Sequence, residues 1–277
     1  MVVWQVRGSV GRPYPPIGDY ALIGDCHSAA LIARDGSVDW FCPGRFDAPA
    51  VFCRLLDEDK GGYLRMAPRG SFSTARRYHG PTNVLETTFS APGGRVRATD
   101  LMPIHRRTAH RQGYDVGASH RLLRRLEGLE GEVELTLAFK PTFDYARART
   151  CLEPRPGAGA VAWADGRYLA LACPGVHLEP DQAGGLAGRL RLRAGEQCWV
   201  VLTHAEDPDR TEEALRPVRC EEQLARTLRY WEDWAAKCTY DGPYRDLVLR
   251  SALVLKLLTY EPTVCSSQWV KSAASSP

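Results

Sequence analysis

Residues 15–52 read PPIGDYALIGDCHSAALIARDGSVDWFCPGRFDAPAVF, and the fold class turns on the centre of that stretch. Two short apolar runs, Ala30-Leu31-Ile32-Ala33-Arg34 and Ser37-Val38-Asp39-Trp40-Phe41, meet at Asp35-Gly36. An Asp-Gly pair between such runs signals a β hairpin closed by a type I′ turn, which needs positive φ at both central residues. Beyond the second run comes Pro43-Gly44-Arg45-Phe46-Asp47-Ala48-Pro49, a loop stiffened at each end by proline. The stretch predicts a hairpin presenting a rigid polar-aromatic loop, with Arg45 and Asp47 as its candidate chemistry.

The same punctuation continues outward. From about residue 17 to 205, runs of strand-forming residues are interrupted every eight to twelve residues or so by Gly, Pro or Asp. Val84 to Phe89 and Arg95 to Leu101 flank Ala91-Pro92-Gly93-Gly94. His120 to Leu126 and Glu132 to Phe139 flank Gly128 to Gly131, and Val161 to Ala164 and Arg167 to Leu171 surround a second pair, Asp165-Gly166. Leu186 to Leu192 and Gln197 to Thr203 are read as partners across Ala194-Gly195. Strands at this spacing predict two antiparallel sheets packed face to face.

After residue 205 the period changes. Residues 210–237 are helical in character apart from Pro217, with Leu224, Leu228, Trp231 and Trp234 forming one apolar stripe. Tyr240-Asp241-Gly242-Pro243 leads into YRDLVLRSALVLKLLTY, from Tyr244 to Tyr260, apolar over most of its circumference. A helix of that kind belongs inside something. The first 14 residues read as a flexible lead-in, and residues 264–277, rich in Ser and Ala, as a disordered tail.

Composition bounds the function more than it names it. The 277 residues are 44% hydrophobic and 25% charged, an ordinary globular balance. A formal charge of +3 argues against nucleic acid or an anionic membrane as partner, and no apolar run reaches membrane-spanning length. Nine scattered cysteines without a C-x-x-C pair read as buried thiols in a reducing cytoplasm, with no metal site and no cofactor implied. Asp57-Glu58-Asp59-Lys60-Gly61-Gly62 opens like a calcium loop, but Gly61 and Pro68 occupy ligand positions, so a solvated turn is the better reading. Glu130, Glu132 and Glu134 share one strand face and read as solvated. His105 and His110 lie in a basic run that could contact phosphates, and a loop of solvated charges beside a sheet edge explains it equally well. No nucleophile elbow, phosphate loop or dinucleotide fingerprint occurs.

The opening stretch resembles the N-terminus of bacterial family 15 glycoside hydrolases, the glucoamylase- and trehalase-like enzymes. The resemblance rests on residues 16–26, 29–31, 34–40 and 45–49. It continues through Tyr78, residues 83–89, Asp100-Leu101-Met102-Pro103, Phe143-Asp144-Tyr145, Trp231-Glu232-Asp233-Trp234, residues 238–244 and residues 249–263. It implies a mainly β chain: an antiparallel β super-sandwich over 15–205, a helical linker over 206–240, and the first helix of an α/α six-fold barrel over 241–263. The implied chemistry is inverting hydrolysis of α-glucosidic bonds, by a general acid and a general base about 6.5–9.5 Å apart.

After Thr263 the sequence departs from the resembled pattern, whose catalytic carboxylates come later. The expectation is therefore a barrel that is incomplete in this chain, no catalytic residue, and a chain inactive by itself. Trp40, Arg45, Phe46 and Asp47 become candidates for the barrel interface or the rim of its active site, rather than an active-site loop in their own right. The expected ligand of the parent enzyme is trehalose or another α-glucoside, and the helix from Tyr244 to Tyr260 is expected to self-associate or to dock on a barrel. A free-standing carbohydrate-binding module is the alternative. It would need an exposed aromatic platform, for which Trp40, Phe46, Trp163 and Trp199 are the candidates.

Overall fold

A computed structural model describes residues 4–6, 15–106, 116–205, 207–217 and 219–260. The expected tail and His110 lie outside them. The first strands are β1 (Trp4–Val6), β2 (Ala21–Gly24), β3 (Ala29–Ile32), β4 (Ser37–Phe41), β5 (Phe52–Cys53), β6 (Tyr63–Pro68), β7 (Phe72–Tyr78), β8 (Leu85–Ala91) and β9 (Gly94–Leu101). Then come β10 (Ile104–Arg106), β11 (Val116–Ala118), β12 (Arg121–Lys140), β13 (Cys151–Arg155), β14 (Gly159–Ala164), β15 (Arg167–Ala172), β16 (His177–Pro180), β17 (Leu186–Arg193) and β18 (Gln197–Ala205). Helices α1 (Pro208–Glu213), α2 (Cys220–Ala235) and α3 (Arg245–Leu258) complete the order.

The sandwich is one hydrogen-bonded sheet folded on itself through β12. Residues 121–131 of β12 pair with β9 and β18, in a layer ordered β1-β7-β8-β9-β12-β18-β15-β14-β13. From Glu132 onward the same strand pairs with β17 and β6, in a second layer completed by β16, β4, β3, β2 and β5. Between the layers lies one core, in which Phe41, Phe52 and Phe139 of the second meet Phe89, Leu126 and Leu202 of the first.

Three local expectations fail here, each for a physical reason. Gly128 to Gly131 is not a hairpin turn but the bend of β12, where the register shifts between Gly128 and Glu130. Gly131 takes φ +64°, and a Cβ on Gly128 would lie 2.0 Å from the Arg193 carbonyl, so glycines permit the fold-over. β17 and β18 are not partners. Ala194 and Gly195 cross between layers at that same bend, donating to the carbonyls of Gly131 and Gly128 (both 2.9 Å). The Asp35-Gly36 connection is not type I′. Gly36 alone has positive φ, and its N–H donates to Ala33 O (3.0 Å), a type I turn followed by a left-handed glycine. The Asp35 carboxylate is held by Ser37 N–H (3.2 Å) and Arg65 Nε (2.9 Å).

The second Asp-Gly pair does form the two-residue hairpin, with positive φ at Asp165 and Gly166 and Ala164 opposite Arg167. The strands flanking residues 91–94 pair as expected. Within the expected lead-in, β1 extends the first layer by pairing with β7. The helical stretch is broken in two before Cys220, with Pro217 in the break. On α2, Leu224 packs on Leu101, Leu123 and Val201, while Trp231 packs with Ile104, Leu253 and Leu257. No helix among the described residues is long and apolar enough to cross a membrane.

Candidate functional site

The loop over residues 43–49 leaves β4 at Phe41 and returns through Ala50, where Val51 N–H donates to Phe41 O (2.9 Å). Gly44 holds φ +85°, a conformation glycine adopts without cost. Past it, Arg45 forms a fork on Asp47, with Nε to Oδ1 at 2.8 Å and Nη2 to Oδ2 at 3.2 Å. The hydrogen bond to Asp47 pushes the Arg45 pKa up, and the same bond pulls the Asp47 carboxyl below the usual carboxylate range. Both groups are exposed and ionised at neutral pH, a charge-assisted pair on the surface of the loop.

Tyr260, just past α3, closes this loop from the other side. Its hydroxyl accepts from Arg45 Nη1 (3.1 Å), the guanidinium lies 4.8 Å from its ring centroid, and Phe46 meets the ring edge-on at 6.2 Å. His27 packs edge-on against Tyr260 at 5.8 Å and against His120 at 6.0 Å. His120 holds φ +53° just before β12 and also lines a cavity of about 610 Å³ with Arg121, Arg210 and Arg216.

Beneath this surface Asp25 is fully buried. Its Oδ1 accepts from the backbone N–H groups of His27 (3.1 Å) and Ser28 (2.9 Å), while Oδ2 has no hydrogen-bond partner among the described residues. Burial pushes its pKa up to about 7, against the lowering effect of those two N–H donors. The next residue, Cys26, lies against α3, its thiol 3.4 Å from Lys256 O. Leu257 sits so close that a Cβ on Gly24 would come within 2.6 Å of its Cδ2.

Of the four expected site residues, Arg45, Phe46 and Asp47 are brought together around Tyr260. Trp40 is not, for its ring contact is Tyr145, at 6.3 Å and tilted by 46°. Trp163 and Trp199 are partly buried against other clusters, and Trp199 donates to Glu221 (3.2 Å). Sequence reasoning did not mark His27, Asp25 or Tyr260 as site residues. The signal was available for Asp25 and Tyr260, both within quoted motifs, but their convergence needs a chain separation of more than 200 residues to close. The expected solvated Glu ladder is observed as exposed ion pairs, Glu130 with Arg95 (2.6 Å) and Glu132 with Arg193 (2.7 Å). Asp57 caps its own turn through Asp59 and Lys60 N–H (3.0 and 2.9 Å).

Burial pushes the Cys42 and Cys198 thiols up to about 11 and Cys173 to about 12, so none of the three offers a thiolate at neutral pH. Among the described residues, no group of three or more His, Cys, Asp or Glu is placed to hold a metal ion.

Fold and site together define a β-sandwich domain with helices laid over one end and a charged-aromatic loop beside the last of them. The profile of the family described as trehalase-like, N-terminal, matches residues 7–194, and the chain belongs to that family. It is 34% identical over 279 residues to a trehalase of Mycolicibacterium smegmatis, covering 95% of this chain and 41% of that one. Against a trehalase of Mycobacterium tuberculosis the identity is 34% over 269 residues, covering 91% and 38%. Against a trehalase of Thermoplasma volcanium it is 30% over 255 residues, covering 90% and 38%. The chain thus spans about two fifths of the length of the curated relatives it matches.

Proposed function

We propose that the chain is the non-catalytic N-terminal β-domain of a family 15 glycoside hydrolase of trehalase type, and that it hydrolyses nothing without a helical catalytic portion. The observation that carries this reading is α3. Its inner side is seated on the sandwich, while Leu247 and Leu255 on the other side are 67% and 69% exposed. Val248, Leu258 and Tyr244 are exposed as well. Contiguous apolar surface of this kind on a helix end marks a contact with more protein. The Arg45–Asp47 fork, tied to Tyr260, stands beside that helix and supplies one cation and one anion to set the register of docking.

In this reading the acid and base of inverting hydrolysis belong to the catalytic portion, and the substrate of the whole is trehalose or a related α-glucoside. The chain braces that portion and carries none of the catalytic carboxylates. Cys26, Cys42, Cys53, Cys173 and Cys220 are buried thiols, as expected, whereas Cys151 is exposed and Cys198 and Cys238 are half-buried; free thiols of this kind suit a reducing cytoplasm. Purified chain incubated with trehalose is expected to release no glucose; glucose release by the chain alone overturns the reading. Self-association through α3, measured by sedimentation across a concentration series, is expected to be weak and to be displaced when a catalytic portion is added.

A further inference from the structure

Past the end of β12 the backbone enters an unusual turn. Asp144, Tyr145 and Ala146 take φ of +50°, +56° and +63°, three successive non-glycine residues in the left-handed region. Each is disfavoured by its own Cβ, and such conformations survive only where neighbouring structure enforces them. The enforcement is visible. Phe143 is buried as an anchor, Ala148 N–H reaches back to Phe143 O (3.3 Å), Arg147 N–H to Asp144 O (3.0 Å), and Tyr145 N–H to Ala50 O (3.3 Å).

This turn carries an aromatic side chain that is only partly covered: Tyr145 is 38% exposed, which leaves part of its ring open to solvent. Its ring stands beside partly exposed Trp40 at 6.3 Å, and the two planes diverge by 46°. At the edge of the pair lie a donor and an acceptor. Arg147 Nη2 donates to Asp144 Oδ1 (2.8 Å), and the guanidinium carbon is 5.9 Å from the Tyr145 ring centroid. Trp40 packs on the buried cluster of Cys42, Ala50 and Cys53, as does Ala48 of the charged-aromatic loop, so the two share a base.

Two divergent aromatic faces edged by one carboxylate and one guanidinium match a neutral sugar ring. The axial C–H groups of a pyranose form an apolar face that stacks on aromatic carbon, while its vicinal hydroxyls donate to a carboxylate and accept from a guanidinium. A phosphate would meet Asp144, and a purely apolar ligand would use neither charged group.

We propose that Trp40 and Tyr145, with Asp144 and Arg147 at their edge, form a notch for one pyranose ring of an α-glucoside. The choice of α-glucoside rests on the trehalase-type reading above, whereas the notch itself rests on the geometry.

The test is saturation-transfer NMR and calorimetry on the full 277-residue chain with trehalose, and with mannitol as a polyol that lacks a ring face. The wild-type chain is expected to bind trehalose with millimolar affinity and to give no signal with mannitol. Tyr145→Ala, at an exposed position, is expected to weaken binding about tenfold, the scale of one lost aromatic stacking contact. Tyr145→Phe is expected to keep the affinity, because stacking needs the ring and not the hydroxyl. Arg147→Ala is expected to weaken binding without altering thermal stability. Absence of trehalose binding by the wild-type chain, or equal binding by Tyr145→Ala, overturns the proposal. A chain that binds no sugar yet still associates with the catalytic portion of the M. smegmatis trehalase loses the notch and keeps the proposed function. One that binds sugar and does not associate does the reverse.

Discussion

The two sides of α3 differ sharply, one packed on the sandwich and the other exposed. Toward the sandwich, Leu249, Leu253 and Leu257 fall four residues apart and pack with Cys26 and Trp231. Polar contacts fasten the same side. Arg250 donates to Thr82 O (2.8 Å) and to Asn83 Oδ1, Asn83 Nδ2 donates to Leu253 O (3.2 Å), and the Arg250 guanidinium lies 4.0 Å from the Tyr78 ring centroid. On the opposite side, Leu247, Leu255 and Leu258 are exposed. One helix therefore has one packed side and one apolar side open to solvent. The lesson is that an all-round apolar helix can be anchored and still expose leucines, because anchoring uses only the residues within reach of one neighbour.

The largest expected effect is on the anchored side. Leu257→Ala is expected to cost roughly 2–5 kcal/mol in urea unfolding, as for a fully buried leucine in a packed cluster. On the opposite side, Leu255→Ala is expected to change stability by less than about 0.5 kcal/mol. Equal losses at the two positions would erase the distinction between the sides.

Asp25, under the same anchored side, makes the junction pH-sensitive. Burial pushes its folded pKa up to about 7, above the ordinary range of an aspartate, so the folded state holds the proton more tightly. Its contribution to stability is complete below about pH 4 and is lost as pH rises to about 7, a swing of up to about 4 kcal/mol. The stability difference between wild type and Asp25→Asn is therefore expected to change across that window and to level off above it. A difference independent of pH would show that Asp25 titrates as it does in the unfolded chain.

The polar fastening is expected to matter less than the leucines. Asn83→Ala, which leaves the Leu253 carbonyl and the Arg250 guanidinium each short of a partner, is expected to cost about 1–3 kcal/mol in the same urea assay. The smallest effect is expected in the charged-aromatic loop, where Arg45→Ala and Asp47→Ala should each leave the urea unfolding midpoint essentially unchanged, since both side chains are exposed. A large loss at Asp47 would make the loop part of the sandwich core rather than a docking element.

How much of this could be read from the sequence depends on the range of the causes. The hairpin at Asp165-Gly166 and the pairing of β8 with β9 are local, and their residues announce them. The bend of β12 is not, because Gly128 and Gly131 look like turn residues and only the strands on either side decide that the chain runs on through a bulge. The layer change at Ala194-Gly195 is hidden for the same reason, being dictated by carbonyls of Gly128 and Gly131 far back in the chain. Arg45 and Asp47 were legible as a pair two residues apart, whereas their contact with Tyr260 depends on where α3 ends in space. Nothing in Asp144-Tyr145-Ala146 advertises three left-handed residues, since of these only Asp visits that region with any frequency.

The central claim is that the outer side of α3 is an interface for a catalytic portion. The measurement that reaches it most directly is titration calorimetry of this chain, wild type and Leu255→Asp, into the separately produced part of the M. smegmatis trehalase that lies beyond the matched region. The expected result is a one-to-one complex with the wild-type chain and binding weakened by about a hundredfold or more with the charged variant, as for burial of an unpaired carboxylate at an interface. No heat with the wild-type chain, or equal binding by both, would contradict it.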